Sequence, residues 1–172
     1  MDILLVDGYN IIGAWAELRE LRNKDLEQAR VKLIEKMAEY KAYSGYRVIV
    51  VFDAQLQKEK EKHAKKHGVE IIFTRNNETA DEKIERLAVE LINKKRRTQV
   101  HVATSDYTEQ WQVFGQGALR KSARELFIEM NSIESKIENK VKKISAKQPP
   151  SKLPLTPEVV EKFEKWRRGN LE

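Results

Sequence analysis

The chain has 172 residues, 35% of them charged and 40% hydrophobic, a length and balance that suit one folded domain with at most a small appendage. It has no cysteine, which excludes disulfides and thiolate metal sites and fits a reducing, cytoplasmic setting. No apolar run reaches the ~18 residues of a membrane span and no basic stretch precedes an apolar signal core, so neither a membrane nor secretion is expected, while a net charge of +6 favours polyanionic partners.

The first predicted element is a buried strand over 3–6, inside LLVDGYN. Asp7, Gly8, Tyr9 and Asn10 follow at once, placing a carboxylate and a carboxamide around a glycine at the end of a core strand. Glycine there is expected to let the backbone turn tightly and a phosphate approach. A helix follows, with Leu26, Ala29, Leu33, Met37 and Tyr40 at three- and four-residue spacing, and Gly45 stops it. A second strand spans 47–52 and ends in Asp53. The lysine-rich EKEKHAKKHG reads as a solvated helix ended by Gly68; His63 and His67 have zinc-site spacing but no third ligand nearby.

A third strand spans 69–73, and the loop RNNETADEK leads into a helix with Ile84, Leu87, Ala88, Leu91 and Ile92 on its apolar face. Asp81 falls within about 60° of the middle of that face and should point to the sheet, with Glu82 turned outward. Lys94, Lys95, Arg96 and Arg97 close the helix, where cations suit its dipole. A fourth strand over 99–103 leads to Thr104, Ser105 and Asp106. A short helix over 107–114, carrying Trp111 and Phe114, a Gly-Gln-Gly break and a fifth strand over 118–121 come next. The capping-box pair Ser122 and Glu125 opens a long helix with Ala123, Leu126, Phe127, Met130, Ile133, Ile137, Val141 and Ile144 along one face. The expected organisation is a domain over 1–145, a proline-containing linker over 146–155, and a helix over 156–172 that docks on the domain through Val159, Val160, Phe163 and Trp166.

Strands alternating with amphipathic helices imply a parallel α/β sheet with right-handed crossovers. Such sheets bind ligands at the carboxyl ends of their strands, which is where Asp7, Asp53 and Asp106 fall, with Asp81 in the first turn of a helix that starts there. Each acid has a plainer explanation: a turn at Asp7 or Asp53, a helix cap at Asp106 with Glu109 three residues on, a dipole contact at Asp81. Together, Asp7, Asp81 and Asp106 form an oxygen-only donor set that suits one or two Mg²⁺ or Mn²⁺ ions. With basic surface for phosphates, the implied chemistry is metal-assisted phosphodiester hydrolysis, leaving 5′-phosphate and 3′-hydroxyl ends.

LLVDGYNIIG, ETADE and VATSDYTEQW, in that order, resemble the NYN-domain branch of the PIN-like endoribonucleases, and within it the YacP-like group. FGQGALRKSARE and FEKWRRG extend the resemblance over nearly the whole chain. The resemblance implies an α/β fold, a PIN-like three-layer α/β/α sandwich around a central parallel sheet of four or five strands. It implies that Asp7, Asp81 and Asp106 bind the metal and that Asn10 belongs to the catalytic set. Other NYN nucleases carry a further acid after the fourth strand, where this chain offers Glu109 and Gln110, which leaves a second metal site open. The characterised member of the group cuts mRNA in the ribosomal A site. The expectation is therefore a monomeric, cytoplasmic, ribosome-associated endoribonuclease with ribosomal RNA and mRNA as partners and no organic cofactor.

Gly8, Thr104, Ser105 and Asp53 are expected to support the site. Arg120, Lys121, Arg124, Trp111, Lys95, Arg96, Arg97, Arg167 and Arg168 are expected on RNA- or ribosome-binding surfaces. Two readings compete with the A-site nuclease: a PIN-type nuclease acting on tRNA or free RNA, and a non-catalytic ribosome- or RNA-binding protein. A receiver-type phosphotransfer domain, with Lys121 as its lysine, is a weaker third because LLVDGYN argues against it.

Overall fold

The structure, a computed structural model, describes residues 1–54, 61–94, 96–106, 115–147 and 157–169, and in it the β-branched runs all enter one sheet. The strands are β1 (Ile3–Asp7), β2 (Arg47–Phe52), β3 (Lys62–Lys66), β4 (Val69–Phe73), β5 (Val100–Thr104) and β6 (Leu119–Ser122), in the order β3-β4-β2-β1-β5-β6. Five run parallel and β3 pairs antiparallel with β4 at one edge. Every residue of the central β1 is buried, as a parallel strand covered on both faces requires.

The pleat of β1 sorts its side chains between two cores. Leu4 and Val6 face α1 (Gly8–Ala14), α2 (Ala16–Lys24), α3 (Leu26–Ser44) and the start of α5 (Ala123–Lys147), with Ile11, Leu33, Met37, Leu126 and Met130. Ile3 and Leu5 face α4 (Ala80–Lys94), with Ile84, Ala88 and Val102. The result is the expected three-layer sandwich. Local signals set the helix ends. Asp25 caps α3 by accepting from the amides of Glu27 and Gln28 at 3.0 and 3.4 Å, and Gly45 ends it at φ 75°. Thr79 and Glu82 form a reciprocal capping box at the start of α4, at 3.2 and 3.3 Å. Ser122 Oγ accepts from the Glu125 amide at 3.1 Å, as its sequence pattern predicts.

The lysine-rich segment differs from expectation. Residues 62–66 are the edge strand β3, not a solvated helix, and His67 (φ 53°) and Gly68 (φ 82°) form the two-residue turn into β4. Two consecutive positive φ values suit a tight hairpin and end no helix here. The strand carries no apolar face, because all five residues are exposed and its lysines discourage edge-to-edge pairing. The sheet thus has six strands, where four or five were expected. His63 pairs with Glu61 at 2.5 Å instead of sharing a helical face with His67.

The chain divides into two units, Met1–Glu134 and Ser135–Glu172. The apolar stripe of α5 is buried at Ala123, Leu126, Met130 and Ile133, whereas Phe127, Ile137, Val141 and Ile144 are exposed. Residues 146 and 147 of the expected linker continue α5, and the rest of it lies outside the described residues. In the second unit α6 (Pro157–Arg167) ends near Gly169, at φ 72°, and its Trp166 is 73% exposed. Among the described residues no helix is long and apolar enough to cross a membrane.

From β6, Lys121 reaches the Tyr40 hydroxyl at 3.2 Å and both oxygens of Glu129 at 2.7 and 2.8 Å. Burial pushes the Tyr40 phenol up, and Glu129 pushes it further. His101 lies nearby, its ring 5.4 Å from that of Tyr46 and its Nε2 3.8 Å from Asp2. Burial and then the Lys121 charge lower the His101 pKa, and the opposing pull of Asp2 and Glu129 does not restore it. The fold therefore binds neutral imidazole more tightly than imidazolium. The stabilisation is complete above the unfolded histidine pKa of about 6.5 and is lost as pH falls through the lower folded value. The melting temperature of the wild type should fall more between pH 7 and pH 5 than that of His101→Gln. Equal slopes for the two would show that His101 does not set this dependence.

Candidate active site at the carboxyl edge of the sheet

Asp7 is the last residue of β1 and is 6% exposed. It occupies the cap position of α1, yet its side chain makes no capping hydrogen bond, so helix capping does not explain a carboxylate there. The register pairs Val6 with Ala103, so Asp7 stands level with the end of β5, where Thr104, Ser105 and Asp106 follow. Thr104 is fully buried and its Oγ1 accepts from the Asp106 amide at 3.0 Å. Asn10, one turn into α1 from Asp7, accepts through Oδ1 from both the amide and the hydroxyl of Ser105. Thr104 and Ser105 thus shape the backbone that presents Asp106, and Asn10 ties that backbone to the segment bearing Asp7.

Asp81 is the second residue of α4, between buried Ala80 and Ile84, and is half-buried, while Glu82 turns outward into the capping box as expected. Because α4 starts just after the carboxyl end of β4, Asp81 belongs to the same edge. Asp53 also lies there, half-buried at the end of β2. Beside it the Ala54 amide donates to Thr74 Oγ1 at 3.1 Å and the Thr74 amide to the Phe52 carbonyl at 3.0 Å, which ties the ends of β2 and β4 together.

The donor set is oxygen-only and suits a hard divalent cation. Among the described residues no three acidic or histidine side chains stand close enough to grip one ion. Asp7, Asp81 and Asp106 therefore share one edge without the expected convergence on a single point; a hard cation is the group whose charge would offset the repulsion of bringing them together.

Gly8 serves the edge differently than expected. It lies within α1, outside the left-handed region, and a Cβ there would meet the Phe52 ring at 2.3 Å. The close approach is that of an aromatic side chain, with no tight turn involved. Phe52 stacks on Phe73 with centroids 5.4 Å apart and touches Tyr9 at 5.0 Å. The Tyr9 hydroxyl accepts from Arg30 at 3.0 Å, and the guanidinium lies 5.9 Å from the Phe73 ring centroid. Arg30 falls on no motif, and only the folding of α3 over this layer brings it here.

The basic residues separate by position. Arg120 and Arg124 are exposed, on β6 and at the start of α5. Lys121, expected on an RNA surface, is 9% exposed and committed to Glu129 and Tyr40, because α5 and α3 bring these two partners over it. Arg96 and Arg97 are exposed in the turn before β5, at the opposite edge, as the direction of α4 requires. Arg167 and Arg168 are exposed in the second unit. Lys95 and Trp111 lie outside the described residues, as does the helix expected over 107–114.

One cation unnoticed in the sequence is Lys83, which is 7% exposed and pairs with Glu61 at 2.9 Å. Burial pushes the Glu61 carboxyl up, but hydrogen bonds and charges from Lys83 and His63 outweigh it and hold the carboxyl below its ordinary value. Beside Ser105 a cavity of about 510 Å³ opens between the α1–α2 junction and the first turn of α5, lined by Trp15, Ser105, Ser122, Arg124 and Phe127 among others.

The YacP-like NYN domain family matches residues 4–168. A Bacillus subtilis (strain 168) protein named "uncharacterized protein YacP" is 61% identical over 172 residues, covering 100% of both chains. The crystal structure of Rae1 (YacP) from Bacillus subtilis matches with a TM-score of 0.75 at 61% identity, over 99% of this chain and 97% of that one. A tryptophan-to-leucine variant of the same protein matches with a TM-score of 0.76 at 57% identity, over 98% and 97%.

Proposed function

The chain belongs to the YacP-like NYN domain family, and from that membership we propose that it is a metal-dependent endoribonuclease that associates with the ribosome and cleaves mRNA during translation, in the A site. The observation that carries this reading is the placement of Asp7, Asp81 and Asp106 along one sheet edge, with Asn10 joining the backbone of the first to that of the last. β1 holds Asp7 rigidly, and Thr104 and Asn10 fix the turn at Asp106. In this reading the three carboxylates hold Mg²⁺ or Mn²⁺, one ion or two. The cation, when bound, supplies Lewis-acid activation of water and neutralises charge on the phosphate undergoing in-line attack. No side-chain nucleophile is required. Asn10 acts by positioning Ser105 and Asp106.

The deciding experiment compares one mRNA, free and under translation, with wild type and Asp7→Asn, each with and without EDTA. Cleavage confined to the translated message, lost with EDTA and in the variant, is the expected result. Equal cleavage of free RNA or tRNA would favour the other nuclease reading, and no cleavage under any condition a binding protein.

Ribosome docking is assigned to the basic surfaces and not to the acids. Binding should weaken as salt rises and should survive Asp7→Asn. Exposed Arg167 and Arg168 give α6 a basic surface of its own, and a ribosome-contacting role is assigned to it. Trp166→Ala should leave the melting temperature of the isolated protein nearly unchanged and reduce ribosome binding in a sedimentation assay. A drop of many degrees would instead show that the helix docks on the domain, as its apolar stripe leads one to expect.

A further inference from the structure

The cavity beside Ser105 has no part in holding a cation, yet it opens next to Asp106. Its volume, about 510 Å³, lies within the roughly 300–1,000 Å³ range of small-ligand sites and accommodates a nucleotide. One wall is the Phe127 ring, 42% exposed, on a helix whose inward-facing neighbours Leu126 and Met130 are buried. Phe127 is not loose: it packs edge-on against Trp15 with centroids 5.6 Å apart, and the Trp15 indole donates to the Ala123 carbonyl at 2.8 Å. A partly exposed aromatic ring held this firmly beside the candidate cleavage edge can serve as a stacking platform. Arg124, exposed one turn-start earlier on the same helix, supplies a cation at the rim.

We propose that this cavity is a nucleobase subsite: a base of the substrate RNA next to the scissile phosphate stacks on Phe127, and Arg124 holds a backbone phosphate beside it. Two observations identify RNA as the occupant. The cavity shares Ser105 with the candidate cleavage edge, and its cationic rim complements a phosphate while its aromatic wall complements a base. The proposal rests on the nuclease reading, and its test is separable from it because stacking is read by binding without metal. Stacking is tolerant of base identity, so the subsite fixes position more than sequence.

The experiment measures fluorescence-anisotropy binding of a labelled single-stranded hexaribonucleotide at low salt in EDTA. It compares wild type, Phe127→Ala, Phe127→Tyr and Arg124→Ala, using intact RNA and a set of hexamers with one abasic nucleotide at each successive position. Phe127→Ala should weaken intact RNA about tenfold, Phe127→Tyr should restore most of the loss, and one abasic position should weaken wild type but not Phe127→Ala. Arg124→Ala should flatten the salt dependence while keeping the abasic effect. Unchanged binding by Phe127→Ala, or the same abasic penalty in wild type and Phe127→Ala, overturns the proposal. Cleavage of a translated mRNA by the same proteins with Mg²⁺ or Mn²⁺ is scored separately, so that an inactive wild type with an intact abasic effect counts against the nuclease reading alone.

Discussion

Asp7→Asn, Asp81→Asn and Asp106→Asn should each abolish cleavage of a translated mRNA while leaving the circular dichroism spectrum of the fold intact. The substitutions are nearly isosteric, so packing around Asp7, 6% exposed at the end of β1, is preserved. What changes is charge: under the proposed function each removes one anionic ligand from a shared cation, and the remaining two would hold it more weakly. A loss of 10²-fold or more is the expected scale when a group that acts on transition-state charge is removed. Thermal stability without metal stays level or rises, because one carboxylate no longer repels the others. Asn10→Ala gives a different pattern. It removes the acceptor for two donors of Ser105, so cleavage falls through misplacement of Asp106 and metal affinity falls less than in the aspartate variants. Full activity in any one aspartate variant removes that residue from the site; metal affinity in Asn10→Ala as low as in Asp106→Asn makes Asn10 a direct participant.

Much of this edge was legible in the sequence because strand ends are punctuated. A β-branched run followed at once by Asp7, or by Thr104, Ser105 and Asp106, announces both the strand and the side of the sheet on which its polar residues emerge. Helical period placed Asp81 inward and Glu82 outward, and α4 follows it. The failures share another origin. β3 has no apolar alternation to read, because it is a fully exposed edge strand, and its turn is signalled only by His67-Gly68. Lys121 looked like an RNA ligand because a lysine reads as surface; its partners Tyr40 and Glu129 come from α3 and α5, and nothing local reveals them. Phe127 sits in the apolar period of α5, so period alone assigned it to the core, whereas the fold leaves it at a cavity rim. Period identifies a face of a helix, but where on that face the neighbouring elements end is a tertiary fact.

Gly8 carries the second large effect, and its explanation is specific enough to be tested by a double substitution. The Phe52 ring fills the space a Cβ would need, at 2.3 Å, and it is 1% exposed and held between Tyr9 and Phe73, so it has nowhere to swing. Gly8→Ala should therefore cost about 1–3 kcal/mol by overpacking. Phe52→Ala should cost about 3–5 kcal/mol through its cavity. If the clash is the whole reason for glycine, the two costs do not add: the new methyl enters the space left by the ring, and the double variant is no less stable than Phe52→Ala alone. Urea unfolding with an unchanged slope measures this directly. Activity should order differently from stability. Gly8→Ala pushes on the residue next to Asp7, and a displacement of about 1 Å can cost roughly 10²-fold in rate. Removing the ring lets α1 return, so the double variant, assayed well below its melting temperature, should cleave faster than Gly8→Ala while being less stable than it. Additive losses in stability, together with a double variant slower than either single, would mean that residue 8 must be glycine for what lies on its other side, where substrate approaches Asp7.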